Sequence, residues 1–166
     1  MIEQKILSAN KHLCVMKSLS KCHGIGGLRL GVLASGDEEL IAALKKDVAI
    51  WNINSFAEFY MQIFEKYKRA YAESLRRLRE ERRRFAAALE KISGVRVVPS
   101  QANFIMVELT GNVTSKELCK RLLIGHSIFV KDLSAKVSGK NYLRLAVRAA
   151  ADNDKLLAAL KGELSA

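Results

Sequence analysis

Ser18, Ser20 and Lys21 stand a few residues ahead of Gly24, Gly26, Gly27 and Arg29, within the run Ser18-Leu19-Ser20-Lys21-Cys22-His23-Gly24-Ile25-Gly26-Gly27-Leu28-Arg29-Leu30-Gly31. A lysine amine attacks a carbonyl only after losing its proton, which burial and nearby cations favour. Hydroxyls at Ser18 and Ser20 and the guanidinium of Arg29 are donors for a dianionic phosphate. Arginine suits that task because its fork binds two oxygens at once. The glycines let the backbone approach a ligand closely. Together these groups suit a phosphorylated aldehyde. His23, next to them, offers an acid or a base, but packing is its expected role.

These groups need elements to hold them. Leu13 to Leu19 is an apolar run of strand length, preceded by a short helix over Ile2 to Ala9. After the glycines, Leu28 to Ala34 returns to strand character, and Ser35-Gly36-Asp37 turns into a capped helix over Glu38 to Lys46. Trp51 to Ser55 is an ordered loop ending in a cap, and Phe56 to Ile92 contains neither proline nor glycine. That stretch is one or two long helices: it breaks near Glu65 to Tyr67, or it bridges two domains. Beyond Gly94 the elements shorten: strands at Val95 to Val98, Phe104 to Leu109, Ile128 to Lys131 and Tyr142 to Val147, with helices at Ser115 to Leu123 and Asp152 to Leu160. Pro99 falls between the first two of these strands, where its missing amide does little harm.

Composition narrows the class. With 166 residues, 49% hydrophobic and 27% charged, the chain is globular. No run of eighteen apolar residues occurs, and Met1 to Asn10 mixes charged residues into its apolar ones, so a soluble, cytoplasmic protein without membrane attachment is expected. Cys14, Cys22 and Cys119 are odd in number and scattered, which suits reduced thiols. Cys14 with Cys22 and His23 matches no zinc spacing, so no metal is expected. The net charge of +11 raises the possibility of nucleic-acid binding. However, Arg76 to Arg84 interleaves acids with bases, and Leu75, Leu78, Arg82, Phe85 and Leu89 follow helical spacing, the pattern of a solvated helix face.

Ser18-x-Ser20-Lys21 with Gly27-Leu28-Arg29-Leu30-Gly31 resembles the attachment signature of fold-type I, class I/II aminotransferases, which use pyridoxal 5'-phosphate (PLP). Pro99-Ser100-Gln101-Ala102-Asn103-Phe104 resembles the entry to the family's small domain, near its histidinol-phosphate aminotransferase branch. Asn141-Tyr142-Leu143-Arg144-Leu145-Ala146-Val147, followed by Asp152-Asn153, is similar to the segment whose arginine grips the substrate α-carboxylate. The resemblance implies that Lys21 is the Schiff-base lysine and proton carrier, that Ser18, Ser20 and Arg29 hold the cofactor phosphate, and that Arg144 binds substrate. Arg148-Ala149 stands where the family commonly has Gly-Thr, which leaves the substrate open. With Ile50 to Phe56, these features look most like aminotransferase domains that follow a nucleotidyltransferase domain in some bacterial fusion proteins.

The fold implied is α/β: residues 1–66 as the end of the large PLP-binding domain, and residues 67–166 as a small α+β domain joined through a long helix. The resemblance corresponds to the later half of the family. The acid that pairs with the pyridine nitrogen, the ring-stacking aromatic and the phosphate-binding helix start are not recognised in these residues, which implies an inactive isolated fragment. Apolar surfaces on Leu28 to Ala34 and Phe56 to Phe64 are expected to be exposed and to favour self-association. The intact protein is expected to be a homodimer acting on an amino acid and a 2-oxo acid. Two alternatives stand beside transamination: decarboxylation, as in the similar threonine-phosphate decarboxylases, and a non-catalytic basic module for nucleic acid or a partner.

Overall fold

A computed structural model describes residues 3–137 and 141–165, leaving Ile2 of the expected first helix outside. The fold is mixed α/β, and the chain divides into two compact units, one reaching to Tyr71 and the other beginning at Ala72.

The first unit contains helix α1 (Gln4–Ala9), strand β1 (Cys14–Ser18), the single helical turn α2 (Leu19–Cys22), a 3-10 turn (Gly26–Leu28), strand β2 (Gly31–Ser35) and helix α3 (Glu38–Asp47). It ends in the first part of helix α4 (Ser55–Leu89). β1 and β2 pair antiparallel, from Cys14 opposite Ser35 to Ser18 opposite Gly31. β2 begins three residues later than the sequence suggested, because the 3-10 turn and a left-handed Arg29 occupy the chain before it. Asp37 starts α3 by accepting a hydrogen bond from the Leu40 amide at 2.9 Å. Little apolar surface is buried here: Leu7, Leu30 and Ala57 are covered, while Ile50, Trp51 and Phe56 are 93%, 90% and 77% exposed. Val32, Leu33, Phe59 and Met61 are exposed as well, on the segments expected to carry uncovered apolar side chains.

α4 is uninterrupted through Glu65 to Tyr67, so of the two possibilities the sequence allowed, the continuous helix is observed. Its basic segment is laced with ion pairs: Arg76 and Arg77 to Glu73 at 2.7 and 2.9 Å, Arg76 to Glu80 at 2.5 Å and Arg84 to Glu81 at 2.8 Å. Such exposed pairs each contribute about 0–1 kcal/mol. They do use up much of the local positive charge.

In the second unit, β3 (Val95–Val98), β4 (Phe104–Leu109), β5 (Lys131–Asp132) and β6 (Tyr142–Ala146) form an antiparallel sheet ordered β3-β4-β6-β5. Alternation along β4 and β6 buries Ile105, Val107, Leu109, Leu143 and Leu145 on one face. They pack with Phe85 and Leu89 of α4, with α5 (Ser115–His126) and with α6 (Ala150–Ser165). β5 is shorter than the expected Ile128 to Lys131. The amides of Ser127 and Ile128 instead donate to the carbonyls of Leu123 and Leu122, closing the end of α5 before the strand begins. The three cysteines are free thiols, and among the described residues no helix is long and apolar enough to cross a membrane.

Candidate active site

Lys21 sits on a turn defined mostly by backbone hydrogen bonds. β1 ends at Ser18, and the Leu19 amide donates to the Leu30 carbonyl at 2.9 Å, tying the start of α2 to the residue before β2. The His23 amide donates to Leu19 O at 3.0 Å, and Gly24 leaves the turn at φ 69°, a conformation that a side chain disfavours. Gly26 and Gly27 are different: a side chain there would meet nothing within 4 Å, so only Gly24 among these three is demanded by the local backbone. Arg29 is left-handed at φ 53° and ψ 40°. For a non-glycine residue this costs about 1–3 kcal/mol, a strain found most often at ligand clamps and active sites.

Helix α4 supports this turn at three points. Asn54 caps α4 by accepting from the Ala57 amide at 3.0 Å, and its own amide donates to the Leu28 carbonyl at 2.9 Å, directly before Arg29. The Tyr71 hydroxyl donates to the Cys22 carbonyl at 3.0 Å, directly after Lys21. His23 lies 2.6 Å from the Tyr60 hydroxyl through Nδ1, and its ring centroid is 4.8 Å from that of Phe64 and 4.5 Å from that of Tyr71. Packing is therefore what His23 does here. The sequence reading passed over Tyr60, Phe64 and Tyr71, although their spacing of four and seven residues is a helical stripe.

Burial, and then the charge of Lys17, push the His23 pKa below its ordinary value. A lowered histidine pKa means that the neutral ring belongs to the folded state. Its contribution is full above the unfolded value of about 6.5 and is lost as the pH falls through the lower folded value. Acidification from pH 7 to 5 should therefore weaken the first unit, and His23→Gln should flatten that dependence. Thermal melts across this range, with an NMR titration of the ring, check it; a His23 that titrates at or above 6.5 would contradict it.

Ser18, Ser20, Lys21 and Arg29 fall at one end of the β1–β2 pair, with Ser18 in register with Gly31. Ser18, Lys21 and Arg29 are exposed and Ser20 is half-buried. The burial that was expected to help Lys21 lose its proton is not supplied by the described residues. Arg29 Nη1 donates to the Gly26 carbonyl at 3.4 Å, and no carboxylate pairs with Arg29 or Lys21 among the described residues. A primary amine, two hydroxyls and a guanidinium without an internal counter-charge form a donor set that fits a phosphorylated aldehyde such as PLP. Arg144 belongs to the second unit, exposed on β6 between Met106 of β4 and Lys131 of β5. At the Arg148-Ala149 departure from the family pattern, the Arg148 amide donates to Asn153 Oδ1 at 3.1 Å and its guanidinium pairs with Asp152 at 2.9 Å.

Residues 4–162 match the family model described as "Aminotransferase class I and II", a PLP-dependent family. The chain is 38% identical over 156 residues to the CMP-5'-(3-aminopropyl)phosphonate synthase of Streptomyces rubellomurinus, which covers 93% of this chain and 25% of that protein. It is 34% identical over 156 residues to the L-serine phosphate decarboxylase of Sulfurospirillum multivorans, covering 92% of this chain and 40% of that one. The crystal structure of the histidinol-phosphate aminotransferase from Clostridium acetobutylicum superposes with a TM-score of 0.86 at 28% identity, over 98% of this chain and 49% of that one. The chain thus spans between a quarter and a half of the length of these proteins, and its α/β fold is that of part of a fold-type I PLP enzyme. By that match across nearly its whole length, and by the donor set around Lys21, this chain belongs to the class I and II aminotransferase family.

Proposed function

We propose that this chain is the C-terminal portion of a PLP-dependent aminotransferase that exchanges an amino group between an amino acid and a 2-oxo acid. The observation that carries the proposal is the Lys21 turn: an unpaired amine on α2, flanked by Ser18, Ser20 and a strained Arg29 and braced by hydrogen bonds at Leu28 and Cys22. In this reading Lys21 Nζ holds the cofactor covalently and then moves a proton at the Cα of the amino acid. Ser18, Ser20 and Arg29 hold the phosphate through hydroxyl and guanidinium donors, and Arg144 receives the substrate carboxylate. When bound, PLP supplies the electron sink that makes bonds at Cα breakable. Residues up to the middle of α4 then serve as the end of the large domain and the remainder as the small domain. The working protein is a cytoplasmic homodimer, a reading to which the exposed Ile50, Trp51 and Phe56 lend support.

Decarboxylation is the second reading, favoured by the 34% identity to an L-serine phosphate decarboxylase. The two differ in which bond at Cα breaks. The test supplies the whole protein with PLP and a panel of L-amino acids that includes O-phospho-L-serine, with and without a 2-oxo acid. Transamination is expected to yield a new oxo acid only when an acceptor oxo acid is present. Carbon dioxide release without need of an acceptor would replace it with decarboxylation, and neither product in a PLP-loaded protein would remove both.

A further inference from the structure

The inference drawn here concerns what holds Arg144 and rests on the proposed role of Arg144 as the carboxylate anchor. Arg144 on β6 stands opposite Met106 on β4, and Phe104 stands opposite Ala146. Side chains alternate between faces along a strand, so Phe104, Met106, Arg144 and Ala146 share one face of the sheet, while Ile105, Val107, Leu143 and Leu145 occupy the buried one. On the shared face, the Arg144 guanidinium lies over the Phe104 ring, 5.4 Å from its centroid. The ring itself is 37% exposed.

The rest of that surface provides nothing else to hold the guanidinium. The cross-strand neighbour on β5 is Lys131, a like charge. Glu108, the acid nearest along β4, pairs with Arg96. No carboxylate pairs with Arg144 among the described residues. An arginine meant to receive a substrate carboxylate has a particular difficulty. A protein carboxylate would orient it but would occupy the N–H edge that the ligand needs. An aromatic face attracts the guanidinium through the ring quadrupole and leaves the in-plane donors unused.

We infer that Phe104 is the positioning residue of the substrate-carboxylate site, holding the plane of the Arg144 guanidinium so that its N–H edge faces an incoming carboxylate. The ring touches no reacting atom; it acts through Arg144. Removing it widens the range of orientations of the guanidinium and weakens a two-point hydrogen bond more than any other contact to the substrate.

The test uses the whole PLP-loaded protein as wild type, Phe104→Leu, Phe104→Tyr and Arg144→Ala. The probes are the amino acid turned over fastest in the product assay and the amine that lacks only its carboxylate, with binding followed through the cofactor's visible absorbance. Phe104→Leu is expected to weaken amino-acid binding and raise KM about tenfold, with kcat and amine binding changed less than about twofold. Phe104→Tyr should restore the wild-type values. Loss of both ligands together in Phe104→Leu, or amino-acid binding as tight as wild type while Arg144→Ala loses it, would overturn the role of Phe104 and leave that of Arg144 standing. An Arg144→Ala protein that still prefers the amino acid over the amine would instead remove the underlying reading of Arg144.

Discussion

Lys21→Ala is expected to prevent covalent attachment of PLP, so that the visible absorbance change accompanying attachment in the wild-type whole protein disappears, and with it turnover. The loss of proton transfer alone is expected to cost about 10²- to 10⁴-fold, and loss of the covalent anchor adds to it. Lys21→Arg should behave in the same way: a guanidinium keeps the charge but cannot give up its proton to attack a carbonyl. Lys17 cannot substitute, because it lies within β1, paired with Val32, whereas Lys21 is on the turn that Asn54 and Tyr71 brace. Absorbance spectroscopy with PLP, together with turnover of the best amino acid, measures both effects. An unchanged absorbance in Lys21→Ala would end the assignment of this residue.

The second large effect is on stability. Phe85 is 0% exposed, projects from α4 into the core of the second unit and packs among Leu89, Leu118 and Leu143. Phe85→Ala should cost about 3–5 kcal/mol, since it forfeits the transfer of a whole ring and leaves a cavity. Against a total domain stability of about 5–15 kcal/mol this is a large fraction. Phe56→Ala, on the same helix but at a residue 77% exposed, should change the stability of this chain by less than about 0.5 kcal/mol. Urea denaturation of the two variants beside wild type makes the comparison. Equal effects would mean that the core of the second unit is not where the buried residues indicate.

Several elements were legible in the sequence because their determinants are local. β3 and β4 run over the expected Val95–Val98 and Phe104–Leu109, where β-branched and alternating residues fit a half-buried strand. α3 begins where Asp37 can cap it, and the long gap in proline and glycine after Ser55 is filled by helix. The strand expected from Ile128 to Lys131 failed for a nonlocal reason: the Ile128 amide is used by the last turn of α5, leaving two residues for the ladder. Likewise, no residue of α4 taken alone told whether the helix would break near Glu65 or continue.

The same division holds at the candidate site. The order Ser18, Ser20, Lys21, Arg29 could be read as a donor set because it lies within one short stretch of chain. Hydrogen-bonding types and spacing along the chain are properties the sequence carries directly. What braces that stretch could not be read there. Asn54 reaches Leu28 across 26 residues, Tyr60 reaches His23 across 37 and Tyr71 reaches Cys22 across 49. Nor could the Phe104 and Arg144 contact, which depends on the register in which β4 and β6 pair. A strand slipped by one residue would turn Arg144 to the buried face with no change in sequence. The sequence by itself thus determined the chemistry that Lys21 and its neighbours can offer, along with most of the helices and strands, since these follow from local dihedral preference and hydrophobic spacing. Only the tertiary structure decided which distant side chains hold the lysine turn and what lies beneath Arg144, because those contacts exist only once helices and strands have packed in one register.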